Sequence, residues 1–139
     1  MSKNDGTKYE IETYKIVDSS NDIHAWTTNV RLGKGDKGVD IVGSYKEMQF
    51  IIQCKDFAKK LSINYVRELN GIMTNNSNLL RIMVSRGGFT KNALDFGKKN
   101  KDLILTDLNN ILSEIQNHYE KNKIEISNAR EHVRNLCQA

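Results

Sequence analysis

Three polar residues with the chemistry of a metal and phosphate site lie around two neighbouring β-rich segments. Asp40 stands early in the first segment, and Gln53 and Lys55 end the second. Side chains alternate between the two faces of a strand, so Gln53 and Lys55 share a face and Cys54 points to the other. If the strands pair as a hairpin, we expect Asp40 beside Gln53 and Lys55. A carboxylate, an amide carbonyl and an ammonium group then converge on one point.

This combination predicts binding of a hard metal ion next to a phosphate. Mg²⁺ takes oxygen ligands at about 2.1 Å in octahedral geometry and keeps several waters. The Asp40 carboxylate and the Gln53 carbonyl are such ligands for Mg²⁺ (or Mn²⁺), alongside substrate phosphate oxygens. Gln53 in place of a glutamate lowers the negative charge, so metal affinity without substrate should be weak. Lys55 either positions and deprotonates the attacking water or stabilises charge on the phosphate, and the sequence leaves both roles open.

Length and composition indicate one ordinary globular domain. The 139 residues predict a single domain over 1–139, with residues 1–5 flexible and residues 122–139 a C-terminal helical extension. The formal charge of +4 permits a nucleic-acid partner without requiring one. The sequence has no run of about 20 apolar residues and no secretory signal, so we expect an intracellular protein without a membrane. Cys54 and Cys137 lack metal-ligand spacing and are expected as free thiols.

Hydrophobic periodicity predicts an α/β sandwich with a mixed central β-sheet flanked by helices. Strands are predicted over residues 23–32, 39–44, 48–55, 79–84 and 103–105. Helices are predicted over residues 6–17, 63–74, 90–101, from 107 onward, and 128–137. The first three strands follow one another and should form a meander. The later strands are reached through helical crossovers, which make parallel pairs.

Single residues refine this outline. Thr90 has the side chain of a helix N-cap, and Asp107 is placed to cap the following helix. Cys54 is expected to be a small buried residue on the face opposite the polar pair. Trp26 and Phe50 are assigned to the core rather than to a base-stacking surface.

Several short patterns resemble, in order and spacing, the Mrr-type endonuclease family of the restriction-endonuclease-like (PD-(D/E)xK) fold. They are Gly6-x-x-Tyr9-Glu10, Gly35-Asp36-x-Gly38-Val39-Asp40-Ile41, Gln53-x-Lys55, Ser85-Arg86-Gly87-Gly88-Phe89-Thr90-x-x-Ala93 and Leu103-Ile104-Leu105-Thr106-Asp107. The resemblance covers about residues 6–112. It implies a restriction-endonuclease-like sandwich and a Mg²⁺-dependent endonuclease that hydrolyses phosphodiester bonds in DNA.

The resemblance also implies roles for individual residues. Asp40, Gln53 and Lys55 form the catalytic set, with Asp40 and Gln53 as metal ligands. Glu10 in the first helix reaches the metal through water, and Glu12 is the alternative for this role.

A DNA substrate requires cations near the site. Lys34 and Lys37 precede the Asp40 strand, Lys59 and Lys60 follow the Lys55 strand, and Arg86 lies in a glycine-rich loop. We expect these five residues to contact the DNA backbone. No segment has the signature of a recognition helix or zinc finger, so base-specific contacts are not visible.

Two further functions remain open at the level of sequence. One is a Holliday-junction resolvase-like, structure-specific nuclease, and the other is a catalytically inactive DNA-binding or assembly subunit with a nuclease fold. Cutting a duplex with single-site subunits usually needs two active sites, so we expect a homodimer. A partner subunit that supplies specificity is a further possibility.

Overall fold

The structure is a computed structural model that describes residues 3–28, 38–72 and 79–138, with the backbone alone for residues 3–7, 125–135 and 137–138. The order along these residues is one helix, three strands, and then helices and strands in alternation, as predicted. They are α1 (Lys3–Asp18), β1 (Ile23–Thr27), β2 (Ile41–Tyr45), β3 (Met48–Lys55), α2 (Ile63–Asn70), β4 (Leu80–Ser85), α3 (Lys91–Lys99), β5 (Leu103–Thr106) and α4 (Ile111–Gln138).

The strands form one five-stranded sheet in the order β1-β2-β3-β4-β5. β1, β2 and β3 are a meander of antiparallel neighbours, whereas β3, β4 and β5 pair in parallel. The predicted mixed α/β sheet is therefore confirmed. Since β2 runs against β3, the start of β2 and the ends of β3, β4 and β5 lie at one edge of the sheet. We name this the carboxyl edge, and it comprises Asp40 and the segments that follow Lys55, Ser85 and Thr106.

Two apolar clusters lie on opposite faces of the sheet. α1 and α4 cover one face, where Phe50 and Ile52 of β3 pack with Ile115 of α4. α2 and α3 cover the other face, where Ile51 of β3 packs with Val66 of α2. The centre of β3 is buried on both faces, as expected for a continuous apolar run. This burial fixes the end of the strand that carries Gln53 and Lys55.

The helix ends differ from the sequence prediction. α1 begins at Lys3 rather than at residue 6, and flexibility of residues 1–5 stays a prediction. α2 ends at Asn70, where the N–H of Gly71 closes the helix on Arg67 O and Glu68 O. The predicted last residues, 73 and 74, lie outside the described part. α4 is one helix to Gln138 and not two, because residues 111–138 contain no glycine or proline to end it.

Among the helix caps and strand ends, some agree with the sequence prediction and others differ from it. Thr90 caps α3 as predicted, since its hydroxyl accepts from the N–H of Ala93 at 3.3 Å. Asp107 instead closes a turn by accepting from the N–H of Asn110 at 3.0 Å, and α4 begins one residue later at Ile111. β1 ends at Thr27, whereas the predicted strand continued to residue 32. Most of that continuation falls within residues 29–37, which lie outside the described residues.

The expectation for Trp26 was wrong, and the one for Phe50 is confirmed. Phe50 is 1% exposed, whereas Trp26 is 54% exposed. Trp26 lies on β1, the edge strand, on the face where α2 and α3 contact β4 and β5. The helices on that face therefore leave Trp26 uncovered. In the described part of the chain, no helix is long and apolar enough to cross a membrane.

Candidate active site

Asp40 lies immediately before β2 and is fixed there by its backbone and its side chain. Its N–H donates to Ile52 O and its carbonyl accepts from Thr28 N, both at 2.9 Å. Ile41 is also the register partner of Ile52, so two residues oppose one, as in a β-bulge. The Asp40 carboxylate accepts from the backbone N–H of Cys54 at 2.7 Å. The carboxylate therefore lies at the end of β3, beside the residue that separates Gln53 from Lys55.

Gln53 is held close to the segment that leads into Asp40. Its side chain is 8% exposed, and Gly38 packs against its amide group. Gly38 has a φ of +84°, and a Cβ there would overlap the Gln53 amide nitrogen. Glycine is thus required for both the backbone angle and the close approach. Gln53 therefore packs against the segment that precedes Asp40, and a shared site of the two side chains stays a prediction.

Lys55 is the last residue of β3, and its side chain is partly buried. Its ammonium nitrogen lies 5.7 Å from the ring centre of Phe57 and 5.4 Å from that of Tyr65. Its carbonyl accepts from the N–H of Arg86 at 3.2 Å, which ties the ends of β3 and β4 together. The predicted position of Lys55 at the carboxyl edge is therefore met, with two aromatic neighbours.

Cys54 points into the opposite core, as the strand alternation predicts. Burial raises the pKa of its thiol, and the charges of Asp40 and Glu10 raise this pKa further. Glu10 is therefore near the same end of β3 as Asp40. Glu12 is exposed and lines a neighbouring cleft instead. The choice between Glu10 and Glu12 as the acidic residue of the first helix stays a prediction.

The neighbouring cleft lies between α1 and the ends of the parallel strands and has a volume of about 590 Å³. Burial raises the pKa of Tyr9, and nearby anionic groups including Asp56 add to the shift. The buried Tyr9 hydroxyl has no hydrogen-bond partner among the described residues. Asp56 forms an ion pair with Arg86 at the same edge. The cleft is lined by Lys8, Tyr9, Glu12, Asp56, Arg86, Asp107, Leu108 and Asn109.

Three of the predicted DNA-contacting residues lie at the carboxyl edge. Lys59 and Lys60 are exposed in the connection after β3. Arg86 follows β4 and is 57% exposed while paired with Asp56. Lys34 and Lys37 lie outside the described residues.

The donor set agrees with a hard divalent cation. The described residues contain no group of three or more His, Cys, Asp and Glu placed to hold a metal ion. Asp40 and the amide of Gln53 would supply oxygen ligands, which suit a hard divalent cation that keeps several waters and binds substrate phosphate. A carboxylate has about four acceptor positions, so the bond to Cys54 leaves Asp40 compatible with ligation.

Sequence reasoning missed Asp56, Phe57 and Tyr65. Asp56 and Phe57 directly follow Lys55 in the sequence, so their closeness to Gln53 and Lys55 could have identified them. Tyr65 comes from α2, and its contact with Lys55 depends on the path of the intervening loop, which no local pattern predicts.

The mixed sheet, with an acidic residue before β2 and Gln-x-Lys at the end of β3, defines a restriction-endonuclease-like α/β fold. The family model of the Mrr catalytic domain, described as a restriction endonuclease, matches residues 15–115. The chain belongs to this endonuclease family. The match includes Asp40, Gln53 and Lys55 and begins after Glu10.

One solved structure supports the fold. A repair endonuclease from Pyrococcus abyssi superposes with a TM-score of 0.55 at 15% identity, over 77% of this chain and 46% of that one. This chain thus spans less than half the length of that enzyme. A protein of unknown function superposes with a TM-score of 0.48 at 13% identity, over 71% of this chain and 57% of its own. No curated protein sequence matches this chain.

Proposed function

We propose that this protein is a metal-dependent, Mrr-like DNA endonuclease that hydrolyses phosphodiester bonds. Membership of an endonuclease family supports the reaction class. The observation that carries the proposal is the Asp40 carboxylate bonded at 2.7 Å to the N–H of Cys54, between Gln53 and Lys55. This bond supports the proposal because it ties the Asp40 carboxylate to the end of β3, the strand that carries Gln53 and Lys55.

The residues of the site have separate roles in the proposed reaction. Asp40 and Gln53 would hold Mg²⁺ or Mn²⁺, and Glu10 would contribute through water. When bound, the ion would lower the pKa of a water molecule and neutralise charge on the phosphate. Lys55 donates hydrogen bonds to the attacking water or to the phosphate oxygens, where negative charge develops in the transition state.

DNA binding and assembly complete the proposal. Lys59, Lys60 and Arg86 lie at the carboxyl edge. In the proposal, they contact DNA phosphates on either side of the cleaved bond. Lys34 and Lys37 are proposed for the same role. We also propose that a homodimer cuts the two strands of a duplex inside the cell, and that a partner subunit supplies any sequence specificity.

The proposal is tested by incubating the protein with supercoiled plasmid, linear duplex and a four-way junction in Mg²⁺, in Mn²⁺ and in chelator. The variants are Asp40→Asn and Lys55→Ala. Asparagine keeps an acceptor for the Cys54 N–H but removes the charge. We expect cleavage that requires metal and falls by at least about a hundredfold in each variant.

Matched controls remove the same charges from exposed helix positions. Asp95→Asn in α3 and Lys121→Ala in α4 should cleave like the unaltered protein. Preferred cutting of the junction would identify a resolvase-like nuclease with the same chemistry. Unchanged cleavage in Asp40→Asn, or no cleavage of any substrate with either metal, would contradict the proposal.

A further inference from the structure

The ammonium group of Lys55 lies against two aromatic rings. Its nitrogen is 5.7 Å from the ring centre of Phe57 and 5.4 Å from that of Tyr65. The rings contact each other edge to face, with centres 5.8 Å apart and planes at 78°. Since a cation is attracted to the negative face of an aromatic ring, both rings stabilise one position of the ammonium group.

The backbone that carries these rings is attached to the next loop of the carboxyl edge. The carbonyl oxygens of Phe57, Ala58 and Lys59 lie within 2.6 Å of where a Cβ on Gly87 would be. Only glycine therefore permits this contact between the two loops. The segment after β3 is thus pressed against the segment after β4, which fixes Phe57 relative to Lys55.

Tyr65 is fixed by the same pair of loops. Leu61 N donates to Gly88 O and Thr90 N donates to Leu61 O, both at 2.9 Å. These bonds precede α2, and Tyr65 lies in the first turn of that helix, partly buried against the core. The two rings therefore belong to one clamped unit rather than to a loose loop.

The position of the Lys55 side chain depends on its neighbours, because a lysine side chain held in one place loses much rotamer freedom. Lys59 and Lys60 are exposed four and five residues further along the chain. Lys55 is only partly buried, so its placement depends on its neighbours and not on burial alone. The rings limit the positions that the ammonium group adopts at the carboxyl edge.

We propose that Phe57 and Tyr65 are positioning residues that hold the Lys55 ammonium in its catalytic orientation. This inference rests on the proposed nuclease function. A group displaced by about 1 Å loses much of its effect on the transition state. Removing a ring should therefore slow the chemical step more than it weakens DNA binding.

The first test reads the position of Lys55 directly and does not depend on activity. Protons on the Lys55 Cε should resonate upfield in the NMR spectrum, because the faces of aromatic rings shield them, and Lys55→Arg assigns the signal. We expect the shift to decrease in Tyr65→Leu and Phe57→Leu and to persist in Tyr65→Phe. An unshifted Lys55 signal, or one unaffected by Tyr65→Leu, would overturn the proposal even if the protein cuts DNA.

The second test separates kcat from DNA affinity. Tyr65→Leu should lower kcat on the order of tenfold with an unchanged Kd for DNA, whereas Tyr65→Phe should restore kcat. Phe96→Leu is the matched control, since Phe96 lies 5.8 Å from the Arg67 guanidinium in the α2–α3 pair. It should leave kcat unchanged.

Thermal unfolding shows which variants are folded, and only folded variants are compared. Equal kcat losses in Tyr65→Leu and Phe96→Leu would overturn the positioning role, as would a raised Kd with unchanged kcat. Absence of cleavage in the unaltered protein would refute the nuclease function, and the NMR shift would then decide the placement of Lys55 by itself.

Discussion

Gly38 shows how a residue without a side chain shapes the site. Its φ of +84° is rarely adopted by other residues, and its Cα faces the amide of Gln53. An added methyl group must push this amide away, and the amide is a proposed metal ligand. Gly38 therefore has both a conformational and a positional reason to be glycine.

We expect Gly38→Ala to lower stability by about 1–2 kcal/mol, the usual penalty for a left-handed alanine. It should also reduce cleavage strongly, since the Gln53 amide must move. Gly88→Ala is the matched control, because Gly88 has the same φ of +84° and no atom within 4 Å of the added Cβ. Chemical denaturation and cleavage assays measure the two effects. Equal loss of activity in both variants would show that strain alone, and not displacement of Gln53, is responsible.

At the scale of elements, α2 and α3, the two helices on one face of the sheet, begin differently. The Thr90 hydroxyl accepts from Ala93 N and caps α3. Ser62 occupies the equivalent position of α2, where its side chain makes no capping bond. The N-cap side chain therefore stabilises α3 through a hydrogen bond but makes no such bond at the start of α2.

Thr90→Ala should therefore lower the free energy of unfolding by about 1 kcal/mol, and Thr90→Ser should recover most of this loss. Ser62→Ala should change stability by a few tenths of a kcal/mol, because no capping bond is lost. Urea unfolding of the three variants measures the difference. A cost at Ser62 as large as that at Thr90 would contradict the assigned capping geometry.

These elements also show what sequence predicts well. The cap at Thr90 and the alternation of Gln53, Cys54 and Lys55 depend on residues close in the chain, and both were predicted. The exposure of Trp26 depends on which strand lies at the edge and which strands the helices cover. The two rings at Lys55 depend on the approach of one loop to Gly87. Both are long-range packing properties, which local periodicity does not contain.

At the scale of the whole molecule, cations occupy both ends of the sheet. Lys59 and Lys60 lie at the carboxyl edge, in the connection after β3. Lys98 and Lys99 lie in the last turn of α3, which leads to the start of β5 at the opposite end. All four are exposed. The net charge of +4 does not indicate which end of the sheet contacts DNA. The position of the candidate site predicts that it is the carboxyl edge.

DNA seated on Asp40 and Lys55 should contact only the lysines at the carboxyl edge. Lys59→Ala/Lys60→Ala should weaken binding and make its dependence on salt less steep, by about one unit of log K against log salt per lost phosphate contact. Lys98→Ala/Lys99→Ala removes the same two charges and should leave the slope unchanged. Fluorescence anisotropy over a series of salt concentrations gives both slopes. Equal slopes in the two double variants would mean that DNA binding follows net charge and not this edge of the sheet.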